Sequence, residues 1–263
     1  MEKRSYTIST VAKYRTRLLR LRGNFVKVLG YCFHFFFPKK RFSLPCVERS
    51  SLNTEHSMKI PRKIWQTNFS EKCTLPMYWN FKHNRSMSPE FEYNYVSTEA
   101  RDDYMRTHGS ERVYAAYRRL TDGAAQADLW RLLVLYNEGG VYIDIDATIV
   151  KPLRECLRST NDYVFVMNYG EYSNFFIATV AKSPLFQELL EEVVGNIENY
   201  DANEGKSVFD VTGPGALEKV LNRRNIPFEP HQNICVQGAY TNEHFQYMDR
   251  PRTKWIYKKT FIN

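Results

Sequence analysis

The sequence predicts an α/β domain whose mixed, mostly parallel sheet is flanked by helices. Three observations carry this expectation. Short runs rich in Ile, Val, Phe and Tyr alternate with helical stretches along the chain, the pattern of strands joined by crossover helices. Residues 124–136, AAQADLWRLLVLY, are apolar almost all round, as a buried helix is. A break at Asn137-Glu138-Gly139-Gly140 then leads directly into VYIDID, a strand-like run at 141–146. The length, 263 residues, holds one large α/β domain or two small ones.

The elements follow in order. Residues 11–36 read as a basic amphipathic helix, with Val11, Tyr14, Leu18, Leu21, Phe25, Val28 and Cys32 recurring at steps of three and four. Lys13, Arg17, Arg20 and Lys27 fall opposite; Arg15 and Arg22 lie nearer the apolar side, where long stems snorkel. Such a helix suits an anionic membrane interface; the alternative is a partly disordered basic leader. Pro38-Lys39-Lys40-Arg41 ends it, and polar residues 42–57 read as a linker. The body opens at Met58, which is also a plausible start of translation.

Strands are expected at 64–66, 91–96, 141–146, 163–167, 175–180 and 234–236. Helices are expected at 76–84, 98–107, 110–120, 124–136, 184–199 and 216–223, the last after a Thr212-Gly213-Pro214-Gly215 turn. The resulting division is a leader and linker over 1–57 and one folded domain over 58–263.

Charge is distributed unevenly. Residues 1–57 carry 12 basic and 3 acidic side chains, leaving 25 basic and 26 acidic in the remainder. The near-neutral body argues against a nucleic-acid partner. The basic excess points the N-terminal segment alone at an anionic surface. The five cysteines, Cys32, Cys46, Cys73, Cys156 and Cys235, are odd in number and widely spaced. They indicate neither a zinc site nor a disulfide framework, and fit a reducing compartment. No apolar run reaches the roughly 20 residues of a membrane span. The apolar stretch 25–37 is short, interrupted by Lys27 and His34, and followed by no small-residue cleavage site. The expected location is therefore cytoplasmic, peripheral on the inner face of a membrane.

The chemistry centres on Asp144-Ile145-Asp146. Residues two apart on a strand share a face, so both carboxylates would address one site while Ile143 and Ile145 face the core. Two carboxylates at the carboxyl end of a strand are hard oxygen ligands, suited to Mg²⁺ or Mn²⁺ and not to zinc. In open α/β sheets that strand end is where ligands bind. Asp128 and Arg131 lie three apart on the buried helix and share a face. Buried charges are costly unless paired or used. They form either a structural ion pair stapling helix to strand, or a phosphate- and sugar-binding pair in which the Arg131 fork meets oxygens.

Residues 125–131, AQADLWR, followed by 136–146, YNEGGVYIDID, closely resemble the D-x-D sugar transferases of glycosyltransferase family 32. The same stretch is similar to the large clostridial cytotoxin glucosyltransferases. Residues 60–67, IPRKIWQT, resemble the family's first strand, with Trp65 where His is more usual, and Asp210-Val211-Thr212-Gly213-Pro214 resembles a later T-G-P turn. The resemblance spans roughly residues 58–220. It implies a GT-A fold, a nucleotide-sugar donor and a Mn²⁺ or Mg²⁺ cofactor. It implies Asp146 as direct metal ligand, with Asp144 on the ribose or a metal-bound water. It implies Asp128 and Arg131 as holders of the donor sugar, and Gln66 and Thr67 beside the nucleotide. Asn174 would reach sugar or acceptor, unless it merely forms an Asx turn. His244 and Trp255 are candidates for the late His and Trp that close over the diphosphate, at a spacing that departs from the family's.

The expectation is a metal-dependent glycosyltransferase acting on a glycan or glycolipid acceptor, of polysaccharide or lipopolysaccharide type, with retention. The alternative is a catalytically silent carbohydrate- or membrane-surface-binding protein on the same fold. Glycoside hydrolysis fits less well, because it needs carboxyl groups flanking the bond from opposite sides.

Overall fold

The computed structural model describes residues 6–52, 58–157, 159–251 and 260–263. In chain order the elements are α1 (Thr10–Phe36), β1 (Phe42–Ser43), β2 (Val47–Glu48), β3 (Lys63–Thr67), β4 (Lys72–Cys73) and α2 (Leu75–Ser86). Next come β5 (Glu92–Val96), α3 (Thr98–His108), α4 (Glu111–Arg119), α5 (Gly123–Glu138), β6 (Gly140–Ile143), β7 (Ala147–Ile149) and α6 (Leu153–Cys156). The chain continues through β8 (Tyr163–Asn168), β9 (Glu171–Thr179), α7 (Pro184–Glu198), α8 (Val208–Val211), α9 (Pro214–Arg223), β10 (Glu229–Pro230), β11 (Cys235–Gln237) and α10 (Glu243–Gln246).

The central sheet has seven strands in the order β10-β8-β9-β6-β3-β5-β2. β3 pairs in parallel with β5 and β6, and β10 with β8; β9 runs antiparallel to β6 and β8, and β2 to β5. Five strands therefore run one way and two, β9 and β2, run against them. Alternation along β6 splits the core between the two faces. Tyr142 joins the cluster of α5, α7 and α9 with Trp130, Leu133 and Phe186. Val141 and Ile143 join the cluster under α2 with Met77 and Phe81. α5 is buried from Ala127 through Leu135, as its apolar composition demands, and Asp122 caps it by accepting from the Ala124 and Ala125 amides.

Three expectations change. The strand expected over 141–146 stops at Ile143, and Asp144 to Ala147 is a turn closed by the Ala147 amide on the Asp144 carbonyl at 3.0 Å. The chain then enters β7, which pairs antiparallel with β11. Second, the strand expected from 175 begins at Glu171, because Tyr169 and Gly170, both at positive φ (53° and 88°), make a tight two-residue hairpin turn after β8. Tyrosine is not a turn signal, so the sequence hid it.

Third, within the stretch expected as leader and linker, the described residues 6–52 pack on the body. β2 is the edge strand of the central sheet beside β5, and β1 pairs with β4. α1 buries Ala12, Thr16, Leu19, Gly23, Gly30 and His34. Leu19 shares a small core with Val150, Val236, Ala239 and Tyr240. The alternation of polar and apolar residues in so short a segment gave no strand signal. No described helix is long and apolar enough to cross a membrane.

The Gly139-Gly140 break requires glycine. Gly140 has φ +101°, and a Cβ there would sit 2.5 Å from the Lys63 carbonyl oxygen of the neighbouring strand. Gly140→Ala is therefore expected to cost about 1–3 kcal/mol through backbone strain alone, read as a lower midpoint in chemical denaturation. An unchanged midpoint would mean that β3 and β6 separate freely at this point.

Candidate active site

The carboxyl end of β6 lies between β9 and β3. There the chain leaves the sheet, and Asp144, Ile145 and Asp146 are all half-buried. The amide of Asp144 donates to the Phe175 carbonyl on β9 (2.8 Å) and Gln66 Nε2 on β3 donates to the Asp144 carbonyl (3.2 Å), so both neighbouring strands fix the turn. Asn80 on α2 donates to the carbonyls of Ile145 and Ala147 at 2.9 and 3.0 Å. The two carboxylates do share a site, through the turn and not through strand alternation. Gln237 Nε2 lies 3.2 Å from Asp144 Oδ2 and 3.4 Å from Asp146 Oδ1.

Behind the turn is a charge network. Arg131 Nη2 is 2.8 Å from Asp128 Oδ1, and Nη1 is 3.6 Å from Asp144 Oδ1. Arg131 also donates to the carbonyls of Asn174 (2.6 Å) and Ala127 (3.4 Å), and its guanidinium stacks 4.2 Å from the Tyr142 ring centroid. Asp128 is saturated: Asn174 Nδ2 donates to Oδ1 at 2.9 Å and the Thr212 hydroxyl to Oδ2 at 3.1 Å. Tyr142 Oη donates to Asp144 Oδ1 at 2.7 Å. Asp128 and Arg131 are 6% and 5% exposed, so the Arg131 fork is committed inside the protein, and the structural staple described above is present.

Electrostatics follow the burial. Desolvation, reinforced by the Asp144 charge, raises the Asp128 carboxyl to about 7 despite Arg131 beside it. Desolvation and then Asp144 raise Asp146 to about 6, with Gln246 and Gln237 hydrogen bonds opposing. Burial alone would lower the Arg131 value; the acidic groups around it, Tyr142, Asp128, Asp144 and Asp146, outweigh that and raise it.

The donor set at the turn is two carboxylates and amide groups. The nearby thiol of Cys235 is buried and held well above its usual range, hence protonated and a poor ligand. Among the described residues no group of three or more His, Cys, Asp or Glu is gathered to cage an ion. A site with two carboxylates fits Mg²⁺ or Mn²⁺, which bind through one or two carboxylates together with substrate phosphates. It does not fit zinc.

Of the residues singled out from sequence, Asp128, Arg131, Asp144 and Asn174 are joined in one network, with Asp146 and Gln66 at its edge. Asn174 is inside β9, not in an Asx turn. Thr67 donates to the Val96 carbonyl at 2.8 Å. His244 is exposed and stacks on Tyr31, 5.3 Å between centroids. Trp255 lies outside the described residues. Sequence reasoning missed Tyr142, although its place two residues before Asp144 puts it on the same strand face. It also missed Thr212 as a partner of Asp128, and Gln237 and Gln246 beside the carboxylates. These last two come from a distant C-terminal segment with no motif of its own.

Residues 76–164 match the family described as the glycosyltransferase sugar-binding region containing the DXD motif. The matched segment holds α5, the Gly-Gly break and the acidic turn. The initiation-specific alpha-1,6-mannosyltransferase of Candida albicans is 30% identical, over 75% of this chain and 62% of its own length. The enzyme of the same name from Schizosaccharomyces pombe is 23% identical, over 69% of this chain and 54% of its own. The chain thus spans between half and two thirds of the length of these relatives. Among solved structures, the PaToxG glycosyltransferase superposes with a TM-score of 0.52 at 17% identity, covering 81% of this chain and 80% of that one. The fold is GT-A-like, as the sequence led us to expect.

Two outcomes follow from this geometry. Arg131→Met is expected to destabilise the protein by about 3–5 kcal/mol, because it strands Asp128 in the interior without its charge partner; a denaturation curve measures it. Affinity for Mn²⁺ is expected to fall about fourfold from pH 7.5 to pH 5.5, because a carboxyl titrating at about 6 holds its proton against the ion. Titration of Mn²⁺ by electron paramagnetic resonance checks it, and a flat profile would exclude Asp146 as a ligand.

Proposed function

We propose that the protein is a divalent-cation-dependent glycosyltransferase that moves a sugar from a nucleotide-sugar donor to a glycan acceptor, with retention at the anomeric carbon. The observation that carries the reading is the convergence of Asp144 Oδ2 and Asp146 Oδ1 on one point at the carboxyl end of β6, within the segment that matches the sugar-binding family. Asp146 and Asp144 would hold Mn²⁺ or Mg²⁺, which neutralises charge developing on the leaving diphosphate. Asp128, Arg131 and Asn174 form the wall of the donor-sugar site; Arg131 contributes its field from behind Asp144 at least as much as any direct contact. Gln66 holds the turn from β3, and with Thr67 borders the nucleotide. Retention rests on the family resemblance alone.

The relatives' names supply the first donor to test, a mannose nucleotide. The acceptor is a glycan or glycolipid of the polysaccharide or lipopolysaccharide kind, which makes the chain a polysaccharide-building enzyme. In this reading residues 11–36 would meet an anionic membrane surface that carries the acceptor. The stripe foreseen from sequence is exposed: Tyr14, Leu21 and Phe25 are 64–65% accessible. At about 100° per residue it lies nearly opposite the face packed on the body. Lys13, Arg17 and Arg20 line one flank and Arg15 and Arg22 the other, an arrangement suited to an interfacial helix. All five cysteines are free, in keeping with a peripheral position on the cytoplasmic face. A silent carbohydrate- or membrane-surface-binding protein is the second reading; intact Asp128, Arg131, Asp144 and Asp146 weigh against it.

A panel of sugar nucleotides, assayed for Mn²⁺-dependent hydrolysis and transfer, tests the reading. Turnover is expected to vanish with chelator, to return with Mn²⁺ or Mg²⁺ but not Zn²⁺, and to fall at least about a hundredfold in Asp146→Ala. Donor binding without turnover would favour the silent protein.

A further inference from the structure

Several D-x-D contacts that the sequence did not announce come from one segment, residues 236–247. Gln237 bridges the two carboxylates, the Gly238 amide donates to the Asp146 carbonyl (3.0 Å), and Gln246 hydrogen-bonds the Asp146 side chain. Apart from two β11 residues paired on β7 and the single turn of α10, this strap is irregular.

α1 grips the strap from its other side, at two places. Lys27 Nζ donates to the Gly238 carbonyl at 3.2 Å, so the one peptide unit on each side of Gly238 is tied to α1 and to the D-x-D turn. One turn away, Gly23 lets the backbone pass: a Cβ there would lie 1.9 Å from the Ala239 carbonyl oxygen. Leu19 completes this contact against Val236, Ala239 and Tyr240. Further along, Tyr31 accepts from Asn242 Nδ2 at 2.9 Å and packs its ring 4.6 Å from that of Phe245. Burial lowers the Lys27 pKa, as expected for an ammonium drawn into this contact.

We infer that α1 is a brace for the cation site: its inner face, through Gly23, Lys27 and Tyr31, holds residues 236–247 against Asp144 and Asp146 and so sets their separation and their affinity for a divalent ion. This deepens the reading proposed above and rests on it, since the ion is the one that reading requires. The outer face of the same helix is the one offered to lipid. Inner and outer residues are distinct, so the two roles separate by mutation. Gly23, Lys27 and Tyr31 are positioning residues, touching neither ion nor donor.

The test uses the full chain and Mn²⁺ alone, with binding read by electron paramagnetic resonance and amide exchange read over 144–149 and 235–240. Lys27→Met is expected to weaken Mn²⁺ binding about threefold and Gly23→Leu at least tenfold, both with faster exchange in the two segments. Gly195→Leu on α7, where a Cβ meets open space, is the control and is expected to change neither. Leu18→Asp and Phe25→Asp are expected to abolish capture by phosphatidylserine-containing vesicles and leave Mn²⁺ binding intact. Folded Lys27→Met with wild-type exchange and affinity would overturn the brace, even if Gly23→Leu fails to fold. Equal loss of Mn²⁺ binding in inner- and outer-face variants would also overturn it. Faster exchange in Lys27→Met of a protein that binds no Mn²⁺ would reject the cation reading and sustain the brace.

Discussion

The arrangement of the site depends on one buried ion pair, Asp128 with Arg131. Both are side chains of α5, the most enclosed of the longer helices, and both are almost fully enclosed. Such a pair is stable only where every remaining donor and acceptor is met. The chain meets them from four directions: Ala127 within α5, Asn174 on β9, Thr212 after α8, and Tyr142 with Asp144 at the end of β6. Satisfying one pair of charges therefore fixes the mutual position of helix, strand end and T-G-P turn. The Asp144 carboxylate is placed as a consequence.

This explains which parts of the molecule were legible in the sequence. The α5–Gly-Gly–β6 unit was, because burial of an apolar helix, a positive-φ break and a β-branched run are all local properties. So was the likelihood that Asp128 and Arg131 meet, since an i, i+3 spacing decides it. The site's far wall was not. Gln237 reaches Asp144 across 93 positions and Thr212 reaches Asp128 across 84, so no periodicity brings either pair together. The extent of the acidic strand was misjudged for a related reason. Alternation in VYIDID continues to Asp146, but pairing with β9 ends at Ile143, and pairing is a tertiary fact.

The N-terminal segment shows the limit of composition. Its charge and its apolar stripe correctly describe the exposed side of α1. They conceal the other side, where Ala12, Thr16, Gly23 and Gly30 are small enough to let the helix lie flat on the body. Small residues carry little hydrophobic signal, so a packed face built from them reads as no face at all. Close approach at these positions, together with buried Leu19 and His34, joins α1 to the rest; a helix so joined transmits position with little slack.

The division of labour between the two aspartates can be argued from their surroundings. Asp144 divides its oxygens: Oδ1 accepts from Tyr142 and faces Arg131, while Oδ2 faces Gln237. One half of that carboxylate is anchored to the interior, against the Tyr142 hydroxyl and the Arg131 guanidinium. Asp146 has no cationic partner among these contacts. It meets amides of Gln237 and Gln246, and desolvation beside the Asp144 charge raises its pKa to about 6. An acidic group destabilised in its ionised form by a neighbouring anion gains most when a cation arrives between them. In the proposed reading the anchored carboxylate would define the place and the unanchored one would gain the larger share of the interaction. That asymmetry supports Asp146 as the direct ligand and Asp144 as the fixed point against which ion and donor are positioned.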